Sequence, residues 1–362
     1  MKRIFPLAAH SYFHIVNKAE QKRRFLDDDT YVPEFEYHDH FDMDIVQGHL
    51  DRAVHDASKQ SLQVVLASID LQKSKPSKVA RERFRALNKT QYGDSNAEYV
   101  QAILARIESR VTPETAHLWK YIQDHVDYNG EKVANIAPKH KTFMHYRNYF
   151  REYRVQPPKQ IDLPAGLMRA LQQTGLAEKG WTVRLLDDGA HARVDHLRKR
   201  VVVGEHYRPR TSTAVQRIII HEVYGHALRG QQESMDESEG VAILFEQLLG
   251  KRFKFRRAYR YLAANLGWGE AGGARTFREV YEIIWRVMVI ASRYTEQNAK
   301  SHAFDECVRV FRGGRPDIAG MVFMKDTVYF AANIDVWKSL EKEPLAYNEF
   351  VDVIEGRRKV LK

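Results

Sequence analysis

The sequence predicts an α+β, helix-dominated fold. Three observations carry that expectation: long stretches of mixed three- and four-residue apolar spacing, a cluster of short strand-like runs near the middle, and an ordinary globular composition. At 362 residues, 44% hydrophobic and 29% charged, the chain can bury a substantial core. Residues 1–135 read as a helical N-terminal region packed on a second region of residues 136–362, the whole forming one compact unit.

The helical expectation begins at Asp42 and runs to Arg110, through Ile45, Leu50, Val54, Leu62, Val65 and Leu66 and again through Tyr99, Ile103 and Ile107. Lys73 to Lys78, containing Pro76, interrupts it, and Gln91-Tyr92-Gly93-Asp94 reads as a further turn. A polar, basic passage with Pro138, Pro157 and Pro158 follows, then a helix from about Pro164 to Gln173. Trp181 to Leu186, His191 to Asp195 and Arg200 to Val203 are the strand-like runs, with Asp187-Asp188-Gly189 as the first turn. They predict a small antiparallel sheet. Helices are then expected over Glu239 to Leu249, Phe255 to Leu266 and Phe277 to Val310, with a hairpin around Met321 to Phe330.

The single cysteine, Cys307, excludes an intramolecular disulfide and fits a reducing compartment. The N-terminal apolar stretch Ile4 to Ala9 meets His10, Ser11 and His14 too soon for a signal peptide, and no run approaches the roughly 18 apolar residues that cross a bilayer. A cytoplasmic protein with no membrane partner is therefore expected. A net charge of +10 and a pI near 9.4 favour encounter with polyanions. A dense basic run, Arg198, Lys199, Arg200, Arg208 and Arg210, lacks the interleaved aromatics of a base-stacking platform, so a solvated face is favoured over a nucleic-acid platform.

The chemistry concentrates in His221-Glu222-Val223-Tyr224-Gly225-His226. Its helix has a capping-box pattern at Thr213 and Gln216, a buried face at Val215, Ile218 and Ile219, and Gly230 to close it. In the common zinc-peptidase pattern two histidines lie four apart, one helical turn, with a glutamate acting on the water between them. Here the spacing is five. At about 100° per residue, the second imidazole would point some 140° away from the first on a regular α-helix. A π-bulge brings the two back to one face, and Gly225 lowers the steric barrier to it. The reading therefore requires a distorted helix between His221 and His226, in a zincin-like catalytic region.

Catalytic zinc takes three protein donors and leaves a fourth position for water. Glu239 opens the next predicted helix after the connection Arg229 to Met235, and antiparallel helices can bring it beside the histidines. Gly240 permits close helix approach. The alternative is local: with Asp236 as N-cap, Glu239 completes a capping box.

With these residues in place the chain resembles the microtubule-associated tyrosine carboxypeptidase family, whose metal motif is His-Glu-x-x-x-His followed by a Glu-Gly-Leu-Ala-like segment, here Glu239-Gly240-Val241-Ala242. Further matches are Pro33-Glu34-Phe35-Glu36-Tyr37, Tyr92-Gly93, Val202-Val203-Gly204, Arg309-Val310-Phe311-Arg312-Gly313 and Phe323-Met324-Lys325-Asp326-Thr327-Val328-Tyr329. The resemblance implies His221, His226 and Glu239 as ligands of one zinc ion, Glu222 as the acid/base, and removal of a C-terminal tyrosine or phenylalanine from a polypeptide tail. Val241 replaces the family's usual leucine, and the connection to Glu239 is shorter than in eukaryotic members.

A carboxypeptidase also needs a cation for the terminal carboxylate, and Arg309, Arg312 and Lys325 are the candidates, with Tyr329 available to donate to the oxyanion. The basic surface hints at an acidic substrate. His38-Asp39-His40 could hold a metal only on an extended segment and reads as a solvated turn, and the five tryptophans read as packing residues. Three other readings stay open: a zinc endopeptidase or aminopeptidase, a basic nucleic-acid-binding protein with an incidental motif, and a zinc-stabilised scaffold without catalysis.

Overall fold

The computed structural model describes residues 13–37, 56–93, 96–130, 135–153, 162–186, 192–205, 207–209, 211–230 and 235–361. Ile45, Leu50 and Val54, the His38-Asp39-His40 cluster, Pro157, Pro158, the Asp187-Asp188-Gly189 turn and Arg210 lie outside the described residues. The elements begin with β1 (Phe13–Ile15), α1 (Lys18–Asp27), β2 (Phe35–Tyr37), α2 (Asp56–Leu71), α3 (Lys78–Tyr92), α4 (Ala97–Glu108) and α5 (Ala116–His125). They continue through α6 (His140–Glu152), α7 (Leu163–Gln173), β3 (Thr182–Leu186), β4 (Ala192–Asp195), β5 (Arg200–Gly204), α8 (Ser212–Ile219) and α9 (Met235–Leu248). The remainder is α10 (Ala258–Trp268), α11 (Phe277–Ser292), α12 (Glu296–Phe311), α13 (Lys325–Lys342) and α14 (Tyr347–Ile354). The fold class is α+β and helix-dominated, as expected. Among the described residues no helix is long and apolar enough to cross a membrane.

Two compact units are present, one drawn from residues 1–134 and 257–327, the other from 135–256 and 328–362. Residues 257–327 thus group with the N-terminal residues. The reason is aromatic packing at long sequence range: Phe25 of α1 sits edge-on to Phe277 and Tyr281, with ring centroids 5.1 and 4.8 Å away, and 5.2 Å from Phe304. Nothing in local periodicity announces such a pairing.

Within the first unit, Ser77 caps α3 by accepting from Ala80 N, and Asn96 caps α4 by accepting from Tyr99 N. The expected helix from Phe277 to Val310 is two helices. Arg293 takes a left-handed conformation with φ 56°, and Thr295 caps the second helix by accepting from Asn298 N. The expected hairpin at Met321 to Phe330 is also absent. Asn88, fully buried, donates to Val322 O at 3.3 Å and accepts from Met324 N at 3.1 Å, while Phe323 N donates to Val310 O. These bonds take the place of a partner strand, and α13 starts at Lys325. Val328, Ala332, Val336 and Leu340, all buried, recur every four residues, a helical stripe.

In the second unit the sheet order is β3-β5-β4, with β3 parallel and β4 antiparallel to β5. The wholly antiparallel expectation is thus corrected to a mixed sheet. Burial explains the arrangement: Val201, Val202 and Val203 are essentially inaccessible, so β5 takes the centre, and the half-exposed β3 and β4 flank it. One apolar core joins this sheet to α6, α7, α8, α9 and the later turns of α13, with Phe150 and Phe245 stacked at 5.1 Å.

Candidate metal centre

The helix carrying the two histidines starts at Thr211, not Thr213: Thr211 is extended and its hydroxyl accepts from Ala214 N at 3.1 Å. Val215 and Ile219 face the core of the second unit. From Ile220 to Ala227 the helix is π, and Leu228 N still reaches five residues back to Val223 O at 2.8 Å. The distortion required by the five-residue spacing is present. His221 and His226 consequently share a face, with ring centroids 4.9 Å apart and planes at 79°. Gly230 then takes φ 73° after the last turn.

Glycine at 225 has a further reason beyond the bulge. A Cβ there would lie 2.5 Å from Ala242 Cβ and 2.9 Å from Ala242 Cα, so the π segment and α9 meet through two minimal side chains. Gly240 serves a different neighbour: a Cβ on it would meet Ala332 O of α13 at 2.7 Å. The Glu239-Gly240-Val241-Ala242 segment therefore spaces α9 against two helices at once. Gly225→Ala is expected to lower stability by about 1–3 kcal/mol. Urea unfolding checks this, and a second substitution Ala242→Gly should restore part of the loss.

Glu239 lies inside α9, which begins at Met235, so Asp236 sits within the first turn and is not its N-cap. The capping-box alternative for Glu239 falls away. Its Oε2 lies 3.3 Å from His221 Nε2 and 3.6 Å from His226 Nε2. Among the described residues this buried oxygen has no hydrogen-bond partner. One donor atom from each of the three residues falls within 4.8 Å of the others, the one such group among the described residues. Tetrahedral zinc with ligand bonds of about 2.0–2.1 Å separates its donors by roughly 3.3 Å, so two imidazoles and an orphaned carboxylate oxygen at these spacings fit that ion.

The other ring nitrogens are occupied. His221 Nδ1 is 2.9 Å from Glu246 Oε1, and His226 Nδ1 is 2.8 Å from Ser238 Oγ. Both partners stand on α9, which leaves both Nε2 atoms directed at Glu239, the arrangement by which outer groups fix ligand tautomer and orientation. Glu246 was not singled out in the sequence, yet it stands seven residues after Glu239, two helical turns along the same face. Glu246→Ala is expected to weaken zinc binding by about 10–100-fold, read by chelator competition.

Burial works against charge on His221, Glu239 and Glu222; charged partners outweigh it at the first two, and burial prevails at the third. For His221 burial favours the neutral ring, but Glu239 and Glu246 outweigh it and hold the proton well above the ordinary histidine range. Glu239 is reciprocally held well below the usual carboxylate range by both histidines, despite its burial. Glu222, 8% exposed, moves upward because desolvation exceeds the opposing attraction of His221 and His226. A buried carboxyl with a raised proton affinity suits a general base.

No family model, curated protein or solved structure matches the chain.

Among the other sequence candidates, Arg309, Arg312 and Lys325 belong to the first unit, whereas the three donors, Glu222 and Tyr329 belong to the second. Arg309 donates to the buried Asp326 at 3.0 Å. Arg260, which the sequence did not single out, lies 3.9 Å from the same carboxylate and 2.7 Å from Glu306. With Arg312, these cations hold Asp326 far below the ordinary carboxylate range in spite of its burial. Tyr329 is half-buried on α13. Cys307 is fully buried.

Proposed function

We propose that this chain is a zinc-dependent carboxypeptidase that removes a C-terminal tyrosine or phenylalanine from a protein or peptide, akin to the microtubule-associated tyrosine carboxypeptidases. The single observation that carries the reading is the convergence of His221 Nε2, His226 Nε2 and the buried Glu239 Oε2, with both Nδ1 atoms held by α9 and Glu222 adjacent in the chain. The carboxypeptidase specificity rests on the motif resemblance.

His221, His226 and Glu239 would hold the ion. Zinc, when bound, supplies a Lewis acid and brings the pKa of water toward about 7. Glu222 takes the proton of the attacking water and passes it to the departing amine. Glu246 and Ser238 keep the imidazoles in one tautomer and one orientation throughout. Tyr329, in the same unit as the three donors, is the candidate for donating to the oxyanion. We place the activity in the cytoplasm, in keeping with a lone buried cysteine.

The test is digestion of a peptide library by zinc-loaded protein, with free and amidated C-termini compared by mass spectrometry. Release of single aromatic residues from free ends only is the expected result. Internal fragments from both sets would make it an endopeptidase. Absence of zinc together with salt-sensitive RNA or DNA binding would replace the enzyme with the nucleic-acid reading.

A further inference from the structure

The loop that follows α9 carries four cations in six residues, Lys251, Arg252, Lys254 and Arg256, and all four line one cleft of about 320 Å³ with Thr213, Gln247 and Gly250. No carboxylate and no aromatic ring is among the lining residues. Lys251, Arg252 and Lys254 are exposed, and none of the three has an ion-pair partner among the described residues. This differs from the other basic run of the second unit, where Asp195 binds Arg198 at 2.9 Å and Arg200 at 3.0 Å.

The loop is also held in shape. Gln247, 2% exposed, donates to Lys254 O at 3.1 Å, and is itself fixed by Asn333 at 2.9 Å and Trp337 at 2.7 Å. Arg147 Nε donates to Gly250 O at 2.6 Å. Anchors on the carbonyls of Gly250 and Lys254 hold the backbone of this stretch, so a ligand has little main chain to order. A concavity lined by one sign of charge focuses field and concentrates counter-ions.

We propose that this cleft is a binding site for a small oligophosphate, an anion that carries several charges within a few ångströms. Compactness selects it: carboxylates of an acidic peptide are strung along a chain, whereas the cleft gathers its cations around one small volume. Without an aromatic ring in the lining there is no surface on which a nucleobase would stack. Arginine forks and lysine point charges are the usual partners of phosphate oxygens. The site is separate from the metal-binding reading and stands without it.

Pyrophosphate titrated calorimetrically into the intact protein at fixed ionic strength tests the assignment. Saturable binding of one pyrophosphate per chain is expected, surviving prior EDTA treatment and weakened at least about tenfold in Lys251→Ala/Arg252→Ala, whose exposed positions leave folding intact by circular dichroism. Binding lost with EDTA would place the ligand on a metal ion and overturn the proposal. So would affinity unchanged in the double variant, no saturable heat at millimolar pyrophosphate, or displacement by an acidic peptide or oligonucleotide at lower concentration than pyrophosphate itself.

Discussion

Glu222→Gln is expected to retain one zinc per chain and to lower peptide hydrolysis by about 10²–10⁴-fold, the contribution of a positioned general base. Glu222 is not one of the three converging donors, so the metal content should be indifferent to the change. Glutamine preserves its volume in a site only 8% exposed, which keeps packing out of the comparison. What disappears is the capacity to take a proton, in a group whose proton affinity burial has already raised. Turnover on a free-ended peptide and metal analysis of the same preparation read both halves. Undiminished hydrolysis would remove Glu222 from the chemistry, and lost zinc would make it a ligand.

His226→Ala is expected to weaken zinc binding by about 10²–10³-fold, because structural zinc sites of four donors bind with roughly 10–16 kcal/mol and one donor of the set is removed. The variant also leaves Ser238 without its ring partner and Glu239 without the imidazole 3.6 Å away. Stability of the metal-free protein should change much less than affinity, since the ring is partly accessible and its removal opens no large void. Chelator competition compares it with His302→Ala, an exposed histidine on α12, which should bind zinc as the parent does. Equal affinities in the two variants would sink the three-donor arrangement.

Much of the candidate centre was legible because its logic is local. The five-residue spacing of His221 and His226 demands a wider turn, and the π segment over Ile220–Ala227 supplies it. Glu239 was visible as a carboxylate at the start of the next helix. What stayed hidden depends on partners distant in sequence: Ala242 opposite Gly225, Asn88 taking the backbone of Val322 and Met324, Phe25 gathering Phe277 and Phe304. The continuous apolar run Met321 to Met324 reads as a hairpin strand, and only the buried Asn88, distant in sequence, decides where its hydrogen bonds go. The parallel pairing of β3 with β5 was missed for a related reason, since three adjacent valines claim the middle of a sheet regardless of their order in the chain.

The π segment also has a meaning for how such a site tolerates change in length. A π turn is what an α-helix becomes when one residue is added without moving either end. The surplus here is absorbed between Ile220 and Ala227, and the helix stops at Gly230 a few residues later, so almost nothing downstream is rotated out of phase. A one-residue insertion, ordinarily ruinous inside a packed helix, would be confined to the turn that carries His221 and His226. The step between four- and five-residue histidine spacing can thus be taken within one turn of helix.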